Sequence, residues 1–277
     1  MTDHTVDAVA FGRFEKAGWE RAAAAYHDAV GDVTQQSIPA LLDAVAAAPG
    51  VRLLDAATGP GYVAGAAAAR GASAVGLDVA DAMLDRARRA FPRVEFLAGD
   101  AQALPFADGA FDAVTIAFGL MHLARPELAV AEAHRVLRPG GRFGFAVWAP
   151  PDRALGIGIP LQAIQTHGRT DVPLPPGPPV YRYGDHAAAR GVLEDAGFAG
   201  VEVVEVPQTW RLPSGAALLP AIRDATVRTA ALLAAQDPGA LDAIQRAAVE
   251  AAEAYRDGDA VALPMPAVVA CGVKASG

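Results

Sequence analysis

The feature that most constrains this chain is a regular alternation between residues 51 and 147. Short runs rich in β-branched residues alternate there with alanine-rich stretches of helical length. This alternation is typical of a parallel sheet wrapped by helices. The predicted strands cover residues 51–55, 74–78, 94–97, 111–117 and 141–148. The predicted helices between them cover residues 61–70, 80–90 and 126–137.

The flanking segments extend this α/β core in both directions. Residues 7–48 have apolar residues three and four apart, which predicts helices before the first strand. A helix over 186–196 and a strand over 201–206 resume the pattern, and two helices are predicted within 216–256. Residues 267–273 are expected to form the last strand, paired with 201–206. The predicted organisation is one domain over 1–277, with a helical cap (1–50), a core (51–148), a glycine- and proline-rich loop or lid (149–186), and final strands (187–277) that enclose a helical insertion (207–262).

Composition and charge exclude several classes of protein. With 31 acidic against 23 basic residues the net charge is −8, which disfavours nucleic acid as a partner. The single cysteine, Cys271, cannot form an internal disulfide and fits a reducing cytoplasm. The longest uncharged runs contain proline and fall short of the roughly 18 residues of a membrane span. Residues 1–16 have no apolar core or cleavage pattern, so no secretory leader is predicted.

The most informative motif is the glycine-rich turn after the first predicted strand. Asp55 ends that strand, and Gly59 and Gly61 allow a ligand to approach the backbone closely. The spacing Gly59-x-Gly61-x-x-Ala64 also fits a dinucleotide fingerprint, with Asp78 at the end of the next strand where a ribose-binding acid belongs. The turn alone therefore leaves a nicotinamide-dependent oxidoreductase open.

Three further observations sharpen this interpretation. A carboxylate at Asp55 would repel a pyrophosphate and attract an ammonium or sulfonium group, which favours a cationic cofactor. Asp100 and Ala101 end the third predicted strand, where a carboxylate can accept a hydrogen bond from an adenine amino group. Residues 135–143 then end a helix and turn directly into a strand, and all four elements occur in one order.

With these motifs the chain resembles the class I S-adenosylmethionine-dependent methyltransferases, in particular the small-molecule branch of ubiquinone and menaquinone biosynthesis methyltransferases. The resemblance covers residues 51–147. It implies a Rossmann-like seven-stranded sheet with an antiparallel last strand, and S-adenosyl-L-methionine (product S-adenosyl-L-homocysteine) across the strands' carboxyl ends. The positions it assigns to the cofactor are Asp55, Gly59 and Gly61 (methionine part), Asp78 (ribose), Asp100 and Ala101 (adenine), with Ala57, Val79, Met83 and Phe118 beside them.

One position departs from the family pattern. Ala57 stands where these proteins usually have glycine, and its methyl group predicts a negative φ at this point of the turn. The departure keeps a non-catalytic S-adenosylmethionine-binding protein as an alternative to an enzyme.

Methyl transfer from a sulfonium needs alignment, and a hydroxyl or amine acceptor also needs a base. His122 is the candidate base because it lies just beyond the carboxyl end of the fourth predicted strand; the structural alternative is a histidine that caps backbone or fills space. No two histidines stand four apart on a predicted helix, and no cysteine and histidine cluster has the spacing of a zinc site, so no metal is expected.

The expected acceptor is a small, largely apolar or aromatic metabolite, methylated on oxygen, nitrogen or carbon. Its pocket is predicted to use aromatic and histidine side chains from the cap, the loop and the strand ends, although core packing or surface solvation would also account for each of them. These residues are Trp19, Tyr26, Trp148, His167, Tyr181, Tyr183 and Trp210. The apolar stripes of the late helices fit either a lid or a contact within a homodimer.

Overall fold

The computed structural model describes residues 6–275. Residues 1–5, which belong to the predicted cap and to the segment considered as a leader, lie outside the described residues, as do residues 276 and 277. The strands are β1 Arg52–Ala56, β2 Ser73–Asp78, β3 Glu95–Ala98, β4 Phe111–Ala117, β5 Leu137–Trp148, β6 Phe198–Val206, β7 Thr209–Leu212, β8 Arg256–Asp257, β9 Ala260–Pro264 and β10 Ala267–Lys274. The α-helices are α1 Ala8–Ala22, α2 Asp32–Gln35, α3 Ile38–Ala44, α4 Tyr62–Ala69, α5 Asp81–Ala90, α6 Pro126–Val136, α7 Leu155–His167, α8 His186–Asp195, α9 Leu218–Ala225, α10 Arg228–Ala234 and α11 Pro238–Glu253.

Seven of these strands form the main sheet, in the order β3-β2-β1-β4-β5-β10-β6. β1 pairs in parallel with β2 and β4, and the parallel pairing continues to β3 and β5. β10 is antiparallel to both of its neighbours, β5 and β6. The predicted fold class, a Rossmann-like α/β sheet with an antiparallel last strand, is confirmed.

The central strands are buried on both faces, as the continuous apolar runs predict. Leu53 and Leu54 of β1 have no exposed surface, and Phe143 and Phe145 of β5 are equally enclosed. A sheet packed this tightly fixes the direction of every strand end. The acids that end β1 and β2 therefore come to the same edge at defined positions.

The N-terminal helices lie over that carboxyl edge. The Asp7 carboxylate caps α1 by accepting hydrogen bonds from the N–H groups of Val9 and Ala10. From α1, the Glu20 carboxylate accepts from the N–H groups of Asp81 and Ala82, at 2.8 and 2.9 Å, and so caps α5 as well. These two hydrogen bonds tie α1 to the start of α5, which follows the end of β2.

Residues between β6 and β10 pack with α7 and part of the N-terminal helices around a second hydrophobic core. Three helices, α9 to α11, occur where two were predicted, and a three-stranded sheet in the order β7-β9-β8 was missed. The small sheet gave little sequence signal, because β8 has two residues and β9 ends at a proline. Trp210 and Ile222 are among the buried residues of this second core.

The prediction of an irregular segment over 149–186 is wrong for residues 155–167, which form α7. Pro160 lies inside this helix, and Gly156 is buried where an added Cβ would come within 2.5 Å of the Trp210 ring. The glycine therefore permits close packing against the insertion. The proline-rich stretch 173–179 does lack helix and strand. Among the described residues, no helix is long and apolar enough to cross a membrane.

Candidate active site

A cavity of about 250 Å³, here called the crevice, lies at the carboxyl ends of β1, β2 and β4. Eight of the predicted cofactor positions line it: Asp55, Ala57, Gly59, Asp78, Val79, Met83, Asp100 and Phe118. Two do not. Ala101 is buried in the main core, and Gly61 begins α4 with a φ of +83° at a point where a Cβ would lie 2.8 Å from Phe96.

Asp55 lies beneath the glycine-rich turn and is 1% exposed. Its carboxylate accepts hydrogen bonds from the Thr58 hydroxyl at 2.5 Å and the Thr115 hydroxyl at 2.9 Å. Burial raises the pKa of Asp55 to about 6, against the opposing effect of these two hydroxyls. The carboxylate therefore acts on the crevice through its charge, because both of its oxygens already have partners.

Asp78 and Asp100 differ in their surroundings. Asp78 is buried at the end of β2, where it accepts from the N–H groups of Gly59 at 2.8 Å and Ala80 at 2.9 Å. Burial raises the pKa of Asp78, although these N–H groups oppose the change. Asp100 is exposed, and the N–H of Gln102 donates to it at 2.8 Å. Each carboxylate keeps lone pairs that can accept from hydroxyl or amino groups of a ligand.

The turn corrects the prediction made for Ala57. Its φ is +53°, not negative, so this alanine adopts the left-handed conformation that glycine usually fills. The methyl group fits because residue 119 is glycine: a Cβ on Gly119 would lie 2.7 Å from the Ala57 Cβ. Phe118 also has a φ of +53°, which is a strained conformation for a bulky residue. Two strained residues therefore meet at the ends of β1 and β4.

Helix α1 lines the crevice with one of its faces. The residues are Gly12, Glu15, Lys16 and Trp19, at helical spacing. The sequence alone suggested only Trp19, as part of the substrate pocket. The Lys16 ammonium donates to the Val79 carbonyl and pairs with Glu20. Burial alone would lower the pKa of Lys16, but its contacts with Glu20 and Asp81 raise it. The lysine is therefore a fixed positive charge beside the end of β2.

A second cavity of about 180 Å³, here called the apolar cavity, adjoins the crevice. Trp148, Trp210, Ile222 and Leu232 contribute to its largely apolar wall. Five residues line both cavities: Trp19, Tyr26, Thr34, Phe118 and His122. Together the two cavities fall within the range of roughly 300 to 1,000 Å³ that is common for ligand sites.

His122 lies in a 3₁₀ turn, Leu120–His122, directly after β4. Its Nδ1 is 3.0 Å from the Glu15 carboxylate, and its ring meets the Trp19 ring edge-on with centroids 4.7 Å apart. The histidine therefore lies between the two cavities, and two residues of α1, Glu15 and Trp19, contact it.

The predicted substrate-pocket residues divide into two groups. Trp19, Tyr26, Trp148, Tyr181 and Trp210 line the apolar cavity. Tyr183 does not, because it packs into the main core and its hydroxyl donates to Glu127. His167 is also elsewhere: it is exposed at the end of α7 and borders a separate depression beside α11. Among residues 6–275, no cluster of three histidine, cysteine, aspartate or glutamate side chains could hold a metal ion.

This sheet, with acids at the ends of three successive strands, has the architecture of the class I methyltransferases. The methyltransferase domain family matches residues 54–145. The demethylmenaquinone methyltransferase of Beutenbergia cavernae is 38% identical over 175 residues, which are 58% of this chain and 71% of that protein. That of Renibacterium salmoninarum is 47% identical over 111 residues, 40% of this chain and 47% of that protein. The chain therefore belongs to the S-adenosylmethionine-dependent methyltransferases of the ubiquinone and menaquinone biosynthesis type.

The chain spans about half the length of most of the curated relatives it matches. Among solved structures, Haemonchus contortus phosphoethanolamine N-methyltransferase 2 in complex with S-adenosyl-L-methionine gives a TM-score of 0.55 at 17% identity, over 91% of this chain and 56% of that one. This likeness supports the fold.

Proposed function

We propose that this protein transfers a methyl group from S-adenosylmethionine to a small aromatic acceptor bound in the apolar cavity. The observation that carries the proposal is the wall shared by the two cavities. A charged crevice suited to a cofactor and an apolar cavity suited to an acceptor meet at five side chains. Transfer between two bound molecules requires such a junction, because the reacting atoms must come into line.

The residues of the crevice fit the cofactor. Asp78 has acceptor capacity left for ribose hydroxyls and Asp100 for an adenine amino group, while the buried charge of Asp55 suits a cationic ligand. When bound, S-adenosylmethionine supplies an electrophilic methyl group on a positively charged sulfur. The chain's own contribution is to orient that group toward the junction and to exclude water from it.

The apolar cavity fits a planar ring. The Phe118 ring lies against the Trp148 ring with centroids 4.1 Å apart and planes 31° apart, and Trp210 and Tyr181 add aromatic surface. The names of the curated relatives suggest a quinone-type ring, and a hydroquinone or phenol would match this wall. Trp210 and Tyr181 lie outside the segment that matches the family, so they are positions where the acceptor range of this chain can differ.

His122 is the proposed proton acceptor. A carboxylate only accepts hydrogen bonds, so Nδ1 of His122 carries the hydrogen donated to Glu15. In the neutral imidazole with this tautomer, the other ring nitrogen, Nε2, carries no hydrogen and can take a proton from the hydroxyl of the methyl acceptor. A positioned base of this kind contributes a factor of about 10² to 10⁴ in rate.

The test is incubation with S-adenosylmethionine labelled in the methyl group and a panel of hydroquinones, phenols and aromatic carboxylic acids. We expect label in a hydroquinone or phenol product, together with S-adenosylhomocysteine. Binding of S-adenosylmethionine without label transfer to any member would instead indicate a non-catalytic binding protein. Absence of binding would refute the proposed cofactor site itself.

A further inference from the structure

Glu15 is an unusual residue in this molecule. It lies on the buried face of α1 with Phe11, Gly18 and Ala22, and only 3% of it is exposed. Acids of this kind almost never occur fully buried without a partner. One of its oxygens, Oε2, has a partner in His122.

The second oxygen has none. Oε1 of Glu15 is buried, and no group within residues 6–275 donates a hydrogen bond to it. Leaving a charged acceptor unpaired in this way is costly, so it calls for an explanation. The neighbouring cation does not provide one, because the Lys16 ammonium is engaged by the Val79 carbonyl, Glu20 and Asp81.

The position of Glu15 indicates what the free oxygen is for. Glu15 lines the crevice, and its contact with His122 places it at the end next to the apolar cavity. This is the end at which a methyl donor must present its reacting group. Asp55 and Asp78, by contrast, are held by hydroxyl and N–H groups at the ends of β1 and β2.

We infer that Glu15 positions His122 with one oxygen and supplies the counter-charge to the sulfonium of the methyl donor with the other. The inference rests on the proposed function. The carboxylate attracts the positively charged sulfur, and the polarised hydrogens on the carbons attached to that sulfur donate weak hydrogen bonds to Oε1. The product has no charge on sulfur, so Glu15 favours the donor over the product.

The direct test is the preference for the charged ligand, measured with Glu15→Gln. The dissociation constants of S-adenosylmethionine and S-adenosylhomocysteine are determined by calorimetry for the wild type and the variant. We expect Glu15→Gln to weaken S-adenosylmethionine about tenfold more than S-adenosylhomocysteine, because the amide keeps the shape and loses the charge. Equal weakening of both ligands, or no change, would overturn the inference.

Glu250→Gln is the matched control. It makes the same substitution at an exposed side chain of α11 that does not line the crevice, and it should leave the ratio of the two dissociation constants unchanged. If neither ligand binds the wild type, the proposed function fails. If both bind and the ratio ignores Glu15, only the inference fails.

The positioning role has its own readout. Long-range ¹H–¹⁵N spectra report which nitrogen of a neutral histidine carries hydrogen. The His122 signal is assigned by its loss in the His122→Gln variant, and the Glu15→Ala variant removes the carboxylate that contacts Nδ1. We expect His122 of the wild type to carry hydrogen on Nδ1, and the Glu15→Ala variant to show both tautomers. Hydrogen on Nε2 in the wild type would contradict the proposed positioning.

Discussion

The two cavities are built in opposite ways. The crevice takes three of its acids, Asp55, Asp78 and Asp100, from the ends of parallel strands, where the register of the sheet fixes each position. The apolar cavity is assembled from helices, loops and strand ends that lie far apart in the chain, including Val30, Leu161 and Trp210. The difference shows why cofactor chemistry stays constant in such a fold while the acceptor changes: one site is set by the backbone, and the other by packing between separate segments.

The largest effect is expected at the junction between the two cavities. His122→Gln should lower the rate of methyl transfer to a phenol about 10²- to 10⁴-fold, because the proton acceptor is lost. Binding of S-adenosylhomocysteine should change little, since the strand-end acids remain. His167→Gln is the control, because this exposed histidine lies away from both cavities. An unchanged rate in His122→Gln would show that the acceptor needs no base at this residue.

A smaller effect is expected from the crevice alone. Asp78→Asn should weaken cofactor binding about 10- to 150-fold, the loss typical of a hydrogen bond to a charged group. Calorimetry measures the dissociation constant, with Asp85→Asn as a control on the exposed face of α5. A fluorescent apolar probe in the other cavity should bind both variants equally, and parallel loss of probe binding would mean that the two cavities do not act separately.

The stability of the protein should depend on pH through Asp55, which lies in the crevice. Burial raises the pKa of Asp55 to about 6, above the value of about 3.9 for an unfolded chain. Ionisation of this residue therefore disfavours the folded state: its contribution to stability is favourable below pH 4 and is lost as the pH rises through about 6.

Affinity for the cationic cofactor should follow the opposite course. It should fall as the pH drops from 7 toward 5, because Asp55 becomes protonated, and the dissociation constant measured across this range checks it. Asp55→Asn should flatten the part of the curve near pH 6. Persistence of the same slope in this variant would assign the slope to another buried carboxylate of the crevice, Asp78.

The smallest effect concerns the turn itself. Ala57→Gly should raise the free energy of unfolding by about 0.5 to 1 kcal/mol, because glycine adopts a positive φ without the steric cost of a Cβ. Urea titration measures the change. Ala56→Gly, one residue earlier within β1, should lower stability instead, and the same sign for both variants would contradict the explanation.

The sequence predicted the crevice better than the apolar cavity, for physical reasons. Asp55, Asp78 and Asp100 follow strands with clear apolar runs, so their convergence follows from strand direction alone. The same argument did not fix the backbone at Ala57, because the space for its methyl group comes from Gly119 in a distant part of the chain.

The acceptor side depends on contacts that no local pattern records. Helix α7 was missed because glycine and proline lower its helix propensity, while packing against Trp210 compensates for them. His167 and Tyr183 were expected in the pocket from their residue types alone. In the structure His167 borders a separate depression beside α11, and Tyr183 packs into the main core. Glu15 did leave a signal, because it is an acid on the otherwise apolar face that contains Phe11 and Ala22.

The insertion that walls off the apolar cavity starts and finishes at neighbouring points. Val206, before it, and Ala267, after it, are register partners on adjacent antiparallel strands. A chimera that exchanges the intervening segment for that of a relative would therefore preserve the junctions in the main sheet. Such grafting offers a route to enzymes with new acceptor ranges while the machinery that recognises the donor is left untouched.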